Sequence, residues 1–264
     1  MLSSRCRICL LLGLSLMVVN LGCSASHRTE PNNASTGLIL IIPGVEGGEW
    51  QLTWMKQGLR EAAITDEIDV ITWGVGPFGS LFNLMDIDGN RRRAAEYGRR
   101  IERHHSQHPD QPITLIGYSG GGGLAVMTVE ALKNRDVLDR LILIAAAISP
   151  DYPVDKLVPK CRRGVVSFRS RHDWFTLGVG TRLFGTIDRK NVDSAGRVGF
   201  LDDKGSLLCC DGLDQVDWCA DWQKLGHGGG HVGWLSSAWA RDVLAPQITS
   251  TRTAKINPTA PARD

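Results

Sequence analysis

Thr114-Leu115-Ile116-Gly117-Tyr118-Ser119-Gly120-Gly121-Gly122-Gly123 is the stretch on which the fold turns. An apolar run ends at Ile116, one serine follows between glycines, and a helical pattern occupies Leu124 to Leu132. A strand that passes at once into a helix leaves its turning residue at the strand's C-terminal end, the edge where parallel sheets gather ligands. Gly117, Ser119 and Gly121 fit G-x-S-x-G. In that turn the serine takes a strained backbone conformation and its hydroxyl stands over the sheet edge, so the residues two before and two after must be tiny. The helix starting near Gly120 also aims free N–H groups and its positive end at the same place. The bare pattern is weak in a chain with 30 glycines, and a structural glycine-rich turn competes with it. A phosphate-binding loop is poorly matched, because Leu124 stands where a lysine is needed; a dinucleotide-binding turn lacks its glycine spacing.

The flanking sequence repeats the strand–helix alternation. Apolar runs at Leu38–Ile42, Ile68–Trp73, Ile113–Ile116, Leu141–Ile148 and Val165–Phe168 read as strands buried on both faces. Helical spacing lies between them at Leu52–Ala63, Arg91–His105 and Leu124–Leu132, and again at Leu235–Leu244. These elements predict an α/β chain with a mostly parallel sheet covered by helices on both faces. Ser149 to Gly164, between the last two strands, is too short for a sizeable lid.

A serine nucleophile needs a base, and the base an orienting acid. Asp173 follows the strand Val165–Phe168, with Asp188 and Asp203 in reserve and a surface or capping role as the plain alternative. His231 lies in a glycine-rich loop before the last helical pattern and is the preferred base; His227 is the alternative. Of the other histidines, His104, His105 and His108 read as a solvated helix end. Two backbone N–H groups should receive an oxyanion: that of Gly120, and one from the loop Pro43–Gly48, with Val45 preferred over Glu46.

The pieces I-I-P-G-V-E-G at 41–47, G-Y-S-G-G at 117–121, S-R-H-D at 170–173 and G-G-H at 229–231 resemble the α/β-hydrolases of the lipase/esterase type, in the family's order. Pro43-Gly44 stands where that family usually has His-Gly. The resemblance implies Ser119, Asp173 and His231 as a triad but no particular substrate; the reaction expected of such a triad is hydrolysis of a carboxylic ester or related acyl bond of a small molecule, with no metal or organic cofactor.

Composition bounds the partners. A net charge of +2 over 264 residues gives no basic face for nucleic acid. The triplet Arg91-Arg92-Arg93 reads as a solvated helix face. Arg5 and Arg7 precede an apolar stretch from Ile8 to Val19, followed by Gly22-Cys23, so residues 1–25 read as an export signal. Gly22-Cys23 resembles a bacterial lipoprotein site, which would attach the chain to a membrane through a lipid on Cys23. Asn20 departs from that motif and keeps plain secretion open. A polar tether at 26–36, a domain at 37–246 and a loose tail at 247–264 complete the organisation. Export favours disulfides among Cys161, Cys209, Cys210 and Cys219: two bridges, or one bridge with free thiols. Those cysteines with His227 and His231 could instead hold zinc, and a non-catalytic scaffold on the same fold is a second rival. Phe78–Asp88 is expected to be a substrate-contacting flap, an interfacial patch or a packed segment. Trp174–Phe184 is a second apolar stretch that could shape the site.

Overall fold

The structure, a computed structural model, describes residues 37–74, 80–173 and 185–249. The expectations for 1–25, for 26–36, for 174–184 and for the tail beyond Thr249 lie outside the described residues.

β1 (Leu38–Ile42), β2 (Glu67–Val70), β3 (Ile113–Tyr118), β4 (Arg140–Ile144), β5 (Val165–Arg169) and β6 (Leu213–Asp217) form one sheet. Their order is β2-β1-β3-β4-β5-β6, and every neighbouring pair is parallel. Alternate side chains serve two cores. Leu38, Leu40 and Ile42 of β1 point to one face with Leu115, Leu141 and Leu143, while Ile39 and Ile41 point to the other with Ile116, Ile142 and Phe168. Helices α3 (Ile87–Gln107) and α4 (Gly120–Ala131) cover the first face through residues such as Ala94, Ile101, Leu124 and Val129. Helix α1 (Thr53–Glu61) and the C-terminal helical run cover the second, through Met55, Leu59, Trp239 and Leu244. The expected sheet with helices on both faces is therefore the fold observed.

Packing rather than propensity holds α4. It opens with four glycines, each about 1 kcal/mol worse than alanine inside a helix. Burial of a single Leu or Val side chain returns about 1.5–3 kcal/mol, and Leu124, Val126 and Val129 are all fully buried.

The differences from the sequence reading have local causes. β4 stops at Ile144, not Ile148, because Ala145 turns with φ 49° and Ala147 N–H donates to the Ser119 carbonyl at 2.9 Å. β6 went unrecognised: it is an edge strand whose only apolar residues are Leu213 and Val216. The helix expected over Leu235–Leu244 is a 3₁₀ turn (His231–Leu235), a short α-turn (Ser237–Trp239), a π-turn (Ala240–Leu244) and Ala245–Thr249. Pro246 lacks the N–H that would bond four residues back, which accounts for the widened turn before it. Gln247 and Ile248, assigned above to the tail, are buried, and the Gln247 carbonyl accepts from buried Arg140 Nη1 at 2.6 Å. The connection from β4 to β5 carries the 3₁₀ turn Val154–Lys160 and no lid.

Cys161, Cys209, Cys210 and Cys219 form no disulfide, against expectation. Cys161 and Cys210 pack with the first core and Cys219 with the second, so the sheet lies between them. Among the described residues no three His, Cys, Asp or Glu side chains gather as metal ligands.

Candidate active site

The site is built at the C-terminal edge of the sheet. Ser119 follows β3 directly, with φ 55° and ψ −123°. Its N–H donates to the Ile144 carbonyl at 2.9 Å, and its own carbonyl accepts from Gly122 and Ala147, each at 2.9 Å. These bonds hold the strained turn in place. A Cβ on Gly117 would stand 2.6 Å from the Gly121 carbonyl oxygen, and one on Gly121 would stand 2.2 Å from the oxygens of Ile42 and Pro43. Neither position admits a side chain.

His231 begins a 3₁₀ turn on a different loop, yet its Nε2 lies 2.9 Å from Ser119 Oγ. Its Nδ1 lies 2.5 Å from Asp173 Oδ2. With Nδ1–H donating to the carboxylate, Nε2 is left to accept from the serine hydroxyl. Asp173 is 2% exposed, so little water competes for the imidazole. The structure thus brings together Ser119, Asp173 and His231, which are far apart in sequence.

Several residues that sequence reasoning missed hold this arrangement. Ser170 Oγ donates to the Gly229 carbonyl at 2.6 Å and ties the acid loop to the histidine loop. Tyr118 Oη donates to the His231 carbonyl at 3.0 Å. Burial, reinforced by the charges of Asp173 and Glu46, holds the Tyr118 phenol well above its usual pKa, so it remains a donor. Tyr118 occupies a variable position of the motif, and Ser170 had no signal beyond its nearness to Asp173.

The loop after β1 sits over the start of α4. Val45 N is 3.3 Å from the point where a Cβ on Gly120 would stand. The Gly120 N–H belongs to the first turn of α4, where N–H groups have no partner within the helix. Val45 N therefore lies close to Gly120 at the start of α4. Trp73 Nε1 donates to the Pro43 carbonyl at 2.9 Å, and Asn83 Nδ2 donates to the Val45 carbonyl at 2.7 Å. Asn83 belongs to α2 (Ser80–Met85), and its own carbonyl accepts from buried Asn90 Nδ2 at 2.8 Å. So the apolar stretch 78–88 has a packing role at Asn83 and Leu84, while Phe82 and Met85 are exposed. Its first two residues lie outside the described residues.

The reserve candidates go elsewhere. Asp188 accepts from the Ser149 N–H at 3.0 Å and from Thr186 Oγ1 at 2.5 Å, a loop-holding role. Asp203 is exposed in a turn. His227 is buried, with its ring centroid 4.1 Å from that of Trp234, and the rings of Trp222 and Trp239 lie within 6.0 Å. Its Nδ1 accepts from Gly229 N–H at 3.2 Å, and its Nε2 has no hydrogen-bond partner.

Burial pushes the His227 pKa down to about 4, against a smaller upward pull from Asp173. The folded protein therefore refuses a proton that the unfolded chain accepts below about pH 6.5. Above that pH both states are neutral and the group has no effect. Between about pH 6.5 and 4 it should erode stability by roughly 1.4 kcal/mol per pH unit, up to about 3 kcal/mol. Urea unfolding from pH 7 to 4.5 should show a shallower loss in His227→Gln than in the parent. Equal slopes would remove His227 as the source.

Sheet order, elbow and loop placement together define an α/β-hydrolase fold. No protein-family model and no curated protein matches the chain. Among solved structures, the chain is similar to a predicted CIB-like hydrolase from Thermoplasma acidophilum, at 15% identity over 82% of this chain and 87% of that one, with a TM-score of 0.46. It is also similar to a lipase of Bacillus licheniformis in mature form (15% identity, 83% and 94% covered, TM-score 0.45). A dienelactone hydrolase from Anabaena variabilis gives 13% identity, 82% and 85% covered, and a TM-score of 0.43.

Proposed function

We propose that the chain is a serine hydrolase that cleaves a carboxylic ester or related acyl bond through an acyl-enzyme intermediate. The observation that carries this reading is the continuous hydrogen-bond chain from Ser119 Oγ through both ring nitrogens of His231 to the buried Asp173 carboxylate. Ser119 Oγ attacks the acyl carbon while His231 Nε2 takes its proton. The carbonyl oxygen becomes an oxyanion held by the N–H groups of Gly120 and Val45. As the tetrahedral adduct collapses, the bond to the leaving group breaks and His231 returns the proton to it. Water then attacks the acyl-enzyme, its proton passes to His231 and on to Ser119, and the free acid leaves. Asp173 holds the ring in the required tautomer and stabilises its charged form in both halves.

A fluorophosphonate probe tests the reading. It should label the parent protein on Ser119 and leave Ser119→Ala unlabelled; label that persists in the variant would end the assignment.

The N-terminal segment supports export, with a lipid on Cys23. Metabolic labelling with a radioactive fatty acid should mark the parent expressed in a bacterial host and not Cys23→Ala. An unlabelled, secreted parent would favour cleavage after Ala25 instead.

A further inference from the structure

The oxyanion-loop side of the site carries hydrogen-bond acceptors that its own fold does not use. Glu46 follows Val45 and is half-buried. One of its oxygens accepts from Gln51 Nε2 at 2.9 Å. Among the described residues no Lys, Arg or His pairs with it, and Lys56 of α1 pairs with Glu49. Gln51 Oε1 is buried and has no hydrogen-bond partner. It stands 3.5 Å from the point where a Cβ on Gly44 would be, and that same point is 3.5 Å from Ser119 Cβ. An unpaired acceptor thus lies about one substituent's length from the nucleophile, and the Glu46 carboxylate is bonded to the other end of the same amide. The negative charge of Glu46 also reaches the Tyr118 hydroxyl, which is bonded to the His231 carbonyl.

Buried polar groups are ordinarily paired, and an exception beside a reactive centre calls for a reason. A donor-bearing cation would satisfy both groups at once, and bonds to charged partners are the strong ones. We propose that Glu46 and Gln51 form an acceptor pole that selects acyl substrates carrying a protonated amine close to the scissile bond. The proposal rests on the serine-hydrolase reading and deepens it. Glu46 is here a specificity-determining residue. The plain alternative is that the Glu46–Gln51 bond only pins the loop.

The test uses the full-length protein and isosteric ester pairs at pH 7. 2-(Dimethylamino)ethyl acetate carries a cationic N–H, and 3-methylbutyl acetate is its neutral counterpart. Acetylcholine and 3,3-dimethylbutyl acetate form the pair with charge but no N–H. The parent should favour the N–H cation over its neutral counterpart in kcat/KM, and Glu46→Gln should reduce that ratio by roughly 10- to 100-fold. Gln51→Leu should reduce it more for the N–H pair than for the quaternary pair. No preference in the parent, or a loss of activity in Glu46→Gln that leaves the ratio untouched, overturns the proposal. An equal preference in both pairs overturns the N–H requirement. Fluorophosphonate labelling of the parent separates the two readings. A labelled parent without charge preference defeats only this inference, whereas an unlabelled parent defeats the hydrolase reading beneath it.

Discussion

Ser119→Ala is expected to lower kcat by about 10⁴–10⁶-fold on any good ester while the fold stays intact. The oxygen removed is the one bonded to His231 Nε2 at 2.9 Å, and among the described residues no other hydroxyl is bonded to that ring. Alanine keeps the Cβ, so the turn meets the same contacts and the same positive φ as before. The backbone bonds to Ile144, Gly122 and Ala147 do not involve the side chain and are retained. The thermal midpoint should therefore move little. Residual turnover above water would come from the N–H groups of Gly120 and Val45 and from substrate binding. Hydrolysis of p-nitrophenyl esters of graded acyl length, together with a circular-dichroism melt, measures both quantities. A modest drop on the best ester would remove Ser119 from the role of nucleophile.

Asp173→Asn is expected to cost about 10⁴-fold in kcat, by the same tautomer logic that governs other triads. A carboxylate at 2.5 Å from Nδ1 can only accept, which fixes the proton there and leaves Nε2 bare. An amide can donate to Nδ1, which places the proton on Nε2, facing the serine it should activate. Burial sharpens the effect, because water cannot easily stand in for the lost acceptor. Asp188→Asn supplies the contrast. That carboxylate accepts from Ser149 and Thr186, so its loss should lower stability and leave the pH–rate profile in place. If Asp188→Asn were the more damaging in kcat, the acid would be misassigned. His231→Ala and His227→Ala form a parallel pair: the first should abolish turnover, the second should loosen the tryptophan cluster around it.

Much of the scaffold is legible in local patterns. Solid apolar strands such as Leu38–Ile42 can satisfy themselves only between two layers, and the strand-to-helix turn at Ser119 leaves little freedom in how the chain continues. The edge strand β6 escaped because half its residues face water, so it has neither a solid nor a cleanly alternating pattern. The glycine start of α4 was legible only from the turn motif, because glycine is chosen there for close approach, against its propensity. No disulfide joins Cys219 to Cys161 or Cys210, because the sheet stands between them.

By itself the sequence determined the alternation of buried strands and covering helices, the sharp turn at Ser119, and the short set of acids and histidines able to serve it. These depend on period, residue size and chain order, all of which are local. Only the tertiary structure decided that His231 rather than His227 meets the serine, that Asp173 rather than Asp188 meets the imidazole, and that Gln51, bonded to Glu46, reaches the turn at Ser119. Such choices depend on where separate loops end in space. That is set by long-range contacts, such as Ser170 to Gly229 and Tyr118 to His231, which leave no periodic trace along the chain.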